Sequence, residues 1–487
     1  MRRTAALAAC IFIAVLVSRA PFVARTLWAH DSVLYARALE QGFHVDDELR
    51  NQRPHPPGYI LYVASAAAVR DGGLDSNAAL VLVSALASAL GAMGVFLLAR
   101  RFVPDRFAII AGAAYAADPL VWQYSEIAYP YAVLGLGSIA IAAAALRARG
   151  RGIGAAAAAS VVFGLAGGFR QDLLLLFAPL WLWCVWPLGA RRAALAGLAG
   201  LAACVVWLVP TVVLSGGLEE YAIALGSQAS YVEEAYSIVA RGVPALVANV
   251  AMTGYALGWG LLLVAPLAAA AVLFVARRAW RTRELDDAAF ALLWCVPPLL
   301  IYATLHIGDW GYVLSAVPAL YLLGARALAA AAARAPEWRG AVVGAGWTAL
   351  VVAPAFVFVS TPAPFSAAAI AKHDRELGTR FAYVRDHYSA ARTLILTRED
   401  FLLVRYYLPD YHARQYDPEP YVRFSRKIRA GQVDRIVVFT PGLAPARAAD
   451  VRKVAFAKGI EFVYLDVIPG AVIEFTGERF AVASPAP

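Results

Sequence analysis

The chain has 487 residues, 61% of them hydrophobic and 16% charged, with a mean hydropathy of +0.62. Apolar content of that order exceeds what one soluble core of this length can bury, which excludes a soluble globular protein and assigns the excess to lipid. The formal charge of +9 rests on arginines that punctuate apolar runs instead of gathering on one face, which excludes nucleic acid as a partner and fits basic residues retained on the cytoplasmic side of a bilayer.

In chain order, the apolar runs predict eleven spanning helices near residues 4–24, 77–99, 107–122, 129–146, 153–169, 172–189, 193–214, 245–276, 288–306, 312–332 and 340–360. Most are close to the ~20 apolar residues that a spanning helix needs. Alternate connections carry Arg2-Arg3, Arg100-Arg101 with Arg106, Arg147-Arg149-Arg151, Arg191-Arg192, Arg277-Arg278-Arg281-Arg283, and Arg326 with Arg334 and Arg339. These are the expected inside loops of a multi-pass protein in a bacterial-type plasma membrane. The N-terminus is then cytoplasmic, and an odd number of spans puts the C-terminal segment outside. Ser18-Arg19-Ala20 at the end of the first run is similar to a signal-peptide cleavage site, but the topology closes only when that run is retained as a span. Cys10, Cys184, Cys204 and Cys295 all lie in apolar runs without CxxC spacing, so neither a disulfide nor a zinc site is expected.

Residues 1–360 thus form the expected transmembrane domain, an all-α bundle with two outer connections too long for turns, 25–76 and 215–244. The first mixes aromatic and charged residues, with the charge run Asp46-Asp47-Glu48 expected to be solvated, and ends in Pro56-Pro57-Gly58-Tyr59-Ile60-Leu61-Tyr62, expected to start a short helix in the interface. The second, with Glu219, Glu220, Tyr221, Tyr231, Glu233, Glu234 and Tyr236, is expected to cap the same cavity. From residue 361 to 487 charge density rises and the apolar runs shorten. A helix over 366–387, strands at 393–396, 435–439, 462–465, 472–475 and 480–483, and a basic helix over 444–458 predict a small extracytoplasmic α/β domain. It has no phosphate loop and no nucleophile elbow, and no catalysis is assigned to it. Gly135 and Gly137 lie inside a span, where helix packing is their expected role.

The strongest local signal for chemistry follows the first span: His30-Asp31-Ser32-Val33-Leu34-Tyr35, then His55-Pro56-Pro57-Gly58-Tyr59. This pairing resembles the first outer loop of membrane glycosyltransferases of the C-type fold, the group that holds protein O-mannosyltransferases, aminoarabinose transferases and their bacterial family-39 relatives. The resemblance implies Asp31 as catalytic base and His55, with Pro56 and Pro57, on the following interfacial helix. Ser125-Glu126-Ile127-Ala128-Tyr129, the Gly164 to Arg170 run and Gly311 to Pro318 resemble later segments of the same group in the expected order. Asp31 is followed by Ser32, where the eukaryotic O-mannosyltransferases carry an Asp-Glu pair, and no Trp-Trp-Asp-Tyr-Gly motif of oligosaccharyltransferases occurs.

The chemistry stands apart from the resemblance. A sugar on polyprenyl phosphate keeps its phosphate at the membrane surface, so its enzyme needs polar groups at the outer ends of spans. Asp31 is placed to take the proton of an acceptor hydroxyl of a glycan, lipid or protein. Arg170, lying between two spans on the outer side against the charge bias, is the first candidate for the leaving phosphate, with His30, His55, Glu126, His306 and Tyr312 beside it as substrate-binding candidates. Each residue has a plainer reading as well. Asp31 also reads as a helix-capping acid, His55 as a seat for the proline turn, Glu126 as a solvated span end, and Arg170 as a side chain reaching for headgroups. Paired acids hold Mg²⁺ or Mn²⁺ through oxygen, but nothing in the sequence fixes a second ligand near Asp31, and no cofactor is expected. A lipid or solute transporter or flippase is the alternative function, and a non-enzymatic scaffold that binds cell-wall polymer is another. A transporter would bury charge near the midplane and show repeated halves, neither of which the sequence displays.

Overall fold

The computed structural model describes residues 2–46, 53–262, 285–415, 427–439, 444–445, 453–457, 460–476 and 479–483. Asp47 and Glu48, the arginines at 277–283 and residues 446–452 of the expected basic helix lie outside the described residues. Contacts divide the chain into a helical unit, Met1–Ala24 with Tyr35–Ile370, and a second unit, Arg25–Leu34 with Ala371–Pro487.

The helical unit runs through α1 (Arg2–Arg19), α2 (His30–Gln41, which crosses from the second unit into this one), α3 (Ile60–Arg70), α4 (Ser76–Ala99), α5 (Asp105–Ala117), α6 (Pro119–Glu126), α7 (Tyr131–Ala148), α8 (Ile153–Phe169), α9 (Asp172–Val185) and α10 (Ala190–Leu214). It continues with α11 (Leu218–Tyr236), α12 (Ile238–Arg241), α13 (Val243–Leu261), α14 (Leu285–Thr304), α15 (Val317–Arg334), α16 (Arg339–Trp347) and α17 (Ala353–Ser360). Among the described residues six helices are long and apolar enough to cross a membrane: Arg2–Phe22, Ser76–Ala99, Tyr131–Ala148, Ala190–Leu214, Asp286–Thr304 and Pro336–Ser360. The protein is a multi-pass membrane protein.

Helix α4 is the buried spine of this unit, with 67% of its apolar window enclosed against 22% for α10. Along α10, Leu198, Leu201, Val205, Val209 and Val213 remain exposed. A helix that apolar and that open faces lipid, where burial against protein gives no hydrophobic advantage and small residues set the packing. The opposite face of α10 shows this, because a Cβ on Gly164 of α8 would stand 2.3 Å from the Gly200 carbonyl oxygen and the Trp207 indole donates to the Gly164 carbonyl at 2.8 Å. The expected packing role of Gly135 and Gly137 agrees with their surroundings, since added Cβ atoms would meet Tyr115 Oη at 2.7 Å and Leu173 at 2.6 Å.

Three expected spans take a different form. The run at 107–122 is two helices, broken where Asp118 accepts from the Leu120 and Val121 amides at 2.8 and 3.0 Å and Pro119 takes the first helical position, a start signal that outweighs continuous hydropathy. The run at 312–332 opens as a 3-10 segment, Trp310–Ser315, before α15. The last contains a π segment, Thr348–Val352, between α16 and α17. The second long connection is largely helical through α11, and the first ends in α3 as expected.

In the second unit, the helix α18 (Ala367–His387), whose first turn belongs to the helical unit, leads to β1 (Thr393–Thr397), α19 (Phe401–Tyr407), β2 (His412–Gln415), β3 (Lys427–Arg429), β4 (Arg435–Val438), β5 (Ala444–Pro445), β6 (Lys453–Ala457), β7 (Ile460–Asp466), β8 (Val472–Thr476) and β9 (Arg479–Ala483). One sheet has the order β2-β1-β4-β7-β6, the other β3-β8-β9-β5. β1 pairs in parallel with β2 and β4, and α19 makes the crossover from β1 to β2. Leu394, Leu396, Ile436, Val438, Leu465, Ile473 and Phe480 form the core, while Phe381 of α18 stacks on Phe439 at 5.5 Å. The basic helix expected over 444–458 is corrected: Lys453–Ala457 is a strand, antiparallel to β7. Its alternation Lys-Val-Ala-Phe-Ala beside the β-rich 460–466 run is the signal that helical periodicity overrode.

Candidate functional site

The His55–Tyr59 motif forms a turn ahead of α3. Its Pro56–Pro57 peptide is cis, and Gly58 has φ +88°, where a Cβ would stand 2.3 Å from Val45 Cγ2. Tyr59 follows at φ 51°, in the left-handed region that only glycine adopts without strain, and serves as the N-cap of α3. His55 Nδ1 lies 2.7 Å from the Pro56 carbonyl, so the imidazole does seat the turn, and the Gln171 amide donates to the Pro57 carbonyl at 3.3 Å. This left-handed backbone fixes the place of the Tyr59 ring.

That place is the face of Arg170. The guanidinium carbon sits 4.8 Å from the Tyr59 ring centroid, 4.7 Å from Tyr131 and 4.9 Å from Tyr312. Its Nη2 donates to Asp172 Oδ2 at 3.0 Å, with the arginine side chain 2% exposed and the aspartate 25%. Arg170 therefore does not extend to headgroups as a snorkelling side chain would. It is enclosed by three phenol rings, whose negative faces suit a planar cation, and its counter-ion is reachable from outside.

His306 and Tyr312 adjoin the same cluster. His306 Nε2 is 3.2 Å from the Tyr312 hydroxyl, and the Tyr236 ring of α11 stands edge-on to the imidazole at 4.7 Å. The imidazole Nδ1 is buried without a hydrogen bond among the described residues. Burial first, and then the positive Arg170 and nearby His55, push its pKa down to about 4, against the opposing pull of Asp172. His306 is accordingly neutral at pH 7. Two glycines allow the close packing: a Cβ on Gly311 would stand 2.3 Å from the Tyr131 ring, and one on Gly308 2.8 Å from His306. Asp309 accepts from Tyr124 Oη and from the Gly311 amide at 2.8 Å, which starts the 3-10 segment that carries Tyr312.

Glu126 is not a solvated span end. Its carboxylate accepts from the Trp122 indole at 3.1 Å and stands 4.0 Å from Arg19 Nε, both side chains nearly sealed at 0% and 2% exposure. Arg19 also donates to the Ala116 carbonyl at 2.7 Å and to Ser88 Oγ at 3.2 Å, over the Trp122 ring at 4.4 Å. His30 and Asp31 belong to the second unit, at the start of α2, where an acidic first turn suits the positive helix end. The structure thus gathers His55, Arg170, His306 and Tyr312 in one cluster of the helical unit and assigns Glu126 to a separate buried ion pair.

Sequence reasoning missed Asp172, Tyr131 and Asp309. Asp172 had a local signal, an acid two residues beyond an unusual arginine. Tyr131 had none, because its partners Arg170 and Tyr312 are distant in sequence.

No family model matches the chain, and no curated protein does either. Solved structures do. ArnT from Cupriavidus metallidurans bound to undecaprenyl phosphate aligns with a TM-score of 0.59 at 15% identity, over 95% of this chain and 97% of that one. Its apo form aligns with a TM-score of 0.55 at 14% identity, over 94% and 97%. The archaeal oligosaccharyltransferase AglB from Archaeoglobus fulgidus, in complex with an inhibitory peptide and a dolichol phosphate, gives 0.51 at 12% identity, over 88% of this chain and 69% of that chain. Likeness along nearly the whole chain at such low identity is likeness of fold, and the chain has the C-type glycosyltransferase fold.

Proposed function

We propose that this protein is a membrane glycosyltransferase that moves a sugar from a polyprenyl-phosphate donor to a hydroxyl acceptor at the outer face of the membrane. The observation that supports it most is the fold, alike over nearly its full length to a protein solved with undecaprenyl phosphate and to one solved with dolichol phosphate. The cluster around Arg170 is a second support, because donors and a cation collect there from four separate connections of the helical unit.

In this reading Asp31 takes the proton from the acceptor hydroxyl as its oxygen attacks the anomeric carbon. The bond from that carbon to the phosphate oxygen breaks, its electron pair leaves with the polyprenyl phosphate, and the configuration inverts. General-base assistance of this kind contributes about 10² to 10⁴ in rate. Neutral His306 and the Tyr312 hydroxyl share one hydrogen bond, which leaves one donor of the pair for the departing phosphate. His55 holds the turn that presents Tyr59, and Arg170 supplies positive potential while fixing the three rings. No divalent ion enters this scheme.

The test is Asp31→Asn in membranes supplied with radiolabelled polyprenyl-phosphate hexoses and pentoses. Transfer is expected to fall by at least about a hundredfold, whereas full retention removes Asp31 from the base role.

A further inference from the structure

The second unit joins the ten residues Arg25–Leu34 to the C-terminal domain, and the contacts that do so converge on the stretch just before Asp31. Asp374, on α18, accepts three hydrogen bonds from this stretch: from the Arg25 amide to Oδ2 at 2.9 Å, from the Thr26 amide to Oδ1 at 2.9 Å, and from Thr26 Oγ1 to Oδ1 at 2.6 Å. The next amide, Leu27, donates to the Tyr407 hydroxyl of α19 at 2.9 Å, and Leu27 itself is fully buried. Trp28 then stacks on His373 of α18 at 4.4 Å, with 29° between the rings.

Three consecutive backbone amides are thus bound by side chains of a domain that begins more than three hundred residues later. Amides in an irregular segment normally turn to water or to local turns. Charge-assisted bonds to a carboxylate are the strong kind, and here they fix φ and ψ of the residues that lead into α2, whose first turn holds Asp31.

We propose that Asp374 and Tyr407 are positioning residues, and that the C-terminal domain serves to hold the segment carrying Asp31 in its working geometry. This rests on the transferase reading for its functional part only. A base misplaced by an ångström loses much of its effect while binding elsewhere is untouched, so the signature is a fall in kcat with little change in KM for the donor.

The experiment uses the full-length protein in lipid nanodiscs, with Asp374→Ala, Asp374→Asn and Tyr407→Phe. Hydrogen exchange is read on the peptide covering residues 25–34, and transfer is measured with the radiolabelled polyprenyl-phosphate sugars. In Asp374→Ala, exchange at Arg25 and Thr26 is expected to rise about tenfold or more and kcat to fall about tenfold with KM within about twofold. Asp374→Asn, which keeps Oδ1 as acceptor and loses Oδ2, is expected to stand between. Tyr407→Phe, a minimal change of volume, is expected to loosen Leu27 alone. Unchanged exchange in Asp374→Ala overturns the anchor whatever the reaction. Faster exchange with undiminished transfer, in a protein that Asp31→Asn inactivates, overturns the positioning role. Full transfer by Asp31→Asn instead strikes the base assignment, and positioning of that base falls with it even where the exchange results stand.

Discussion

Arg19 and Arg170 are both sealed guanidiniums of the helical unit, each 2% exposed, yet their surroundings differ in one respect that separates structure from function. Arg19 faces Glu126, itself 0% exposed, and its Nη2 donates to a backbone carbonyl and a serine. Arg170 faces Asp172, which is 25% exposed, and is otherwise enclosed by tyrosine rings that accept through their faces and leave their hydroxyls for other partners. A counter-ion that no solute reaches can only hold helices together, whereas a reachable one can yield to a second anion. Burial of a cation is therefore a poor guide to its role unless the access of its partner is examined with it.

The largest effect that would break this contrast is at the sealed pair. Glu126→Ala leaves Arg19 without its buried partner, and loss of one member of such a pair costs about 3–5 kcal/mol, expected as a lower midpoint of thermal unfolding in detergent. The double variant Arg19→Met with Glu126→Leu is expected to recover most of that loss and to retain transfer. A double variant that is stable but inactive would move the pair into the functional machinery. Next is Arg170→Lys, which keeps the charge but not the planar fork or the ring stacking. Transfer is expected to fall about ten- to a hundredfold, with a smaller drop in thermal midpoint than Glu126→Ala gives. The reverse order of the two midpoints would erase the distinction.

The smallest effect sharpens the comparison through pH. His306 in the folded protein has its pKa lowered to about 4 from an ordinary 6.5, so the unfolded chain takes up the proton first as pH falls. Its contribution to stability is complete above pH 6.5 and is lost progressively toward pH 4. His306→Gln is expected to flatten the pH dependence of the unfolding midpoint across that window, measured at several pH values in one detergent. An unchanged slope would mean that the imidazole is not held neutral beside Arg170.

Part of the site was legible because it is local. His55 through Tyr59 announces a turn by its prolines and glycine, and the structure builds that turn with the imidazole as its seat. Arg170 stood out by violating the charge bias of the connections. The break of the third span was legible and was passed over: Asp118-Pro119 is a helix-start signal, and continuous hydropathy masked it. The strand at Lys453–Ala457 was missed because five residues of mixed charge and apolarity satisfy helical and extended periods alike, and only pairing with β7 decides between them.

Sequence alone determined the membrane class, since no soluble core disposes of that much apolar surface, and it determined most of the strands of the C-terminal segment, whose β-branched and aromatic runs are short and bounded. Tertiary structure alone decided which polar groups meet. Arg19 finds Glu126, Arg170 finds three tyrosines, and the amides after the first span find Asp374, each across a separation at which sequence carries no distance information. The physical reason is that hydropathy is a property of each segment by itself, while an ion pair, a ring cage or a bound amide exists only when two distant segments arrive at hydrogen-bonding range.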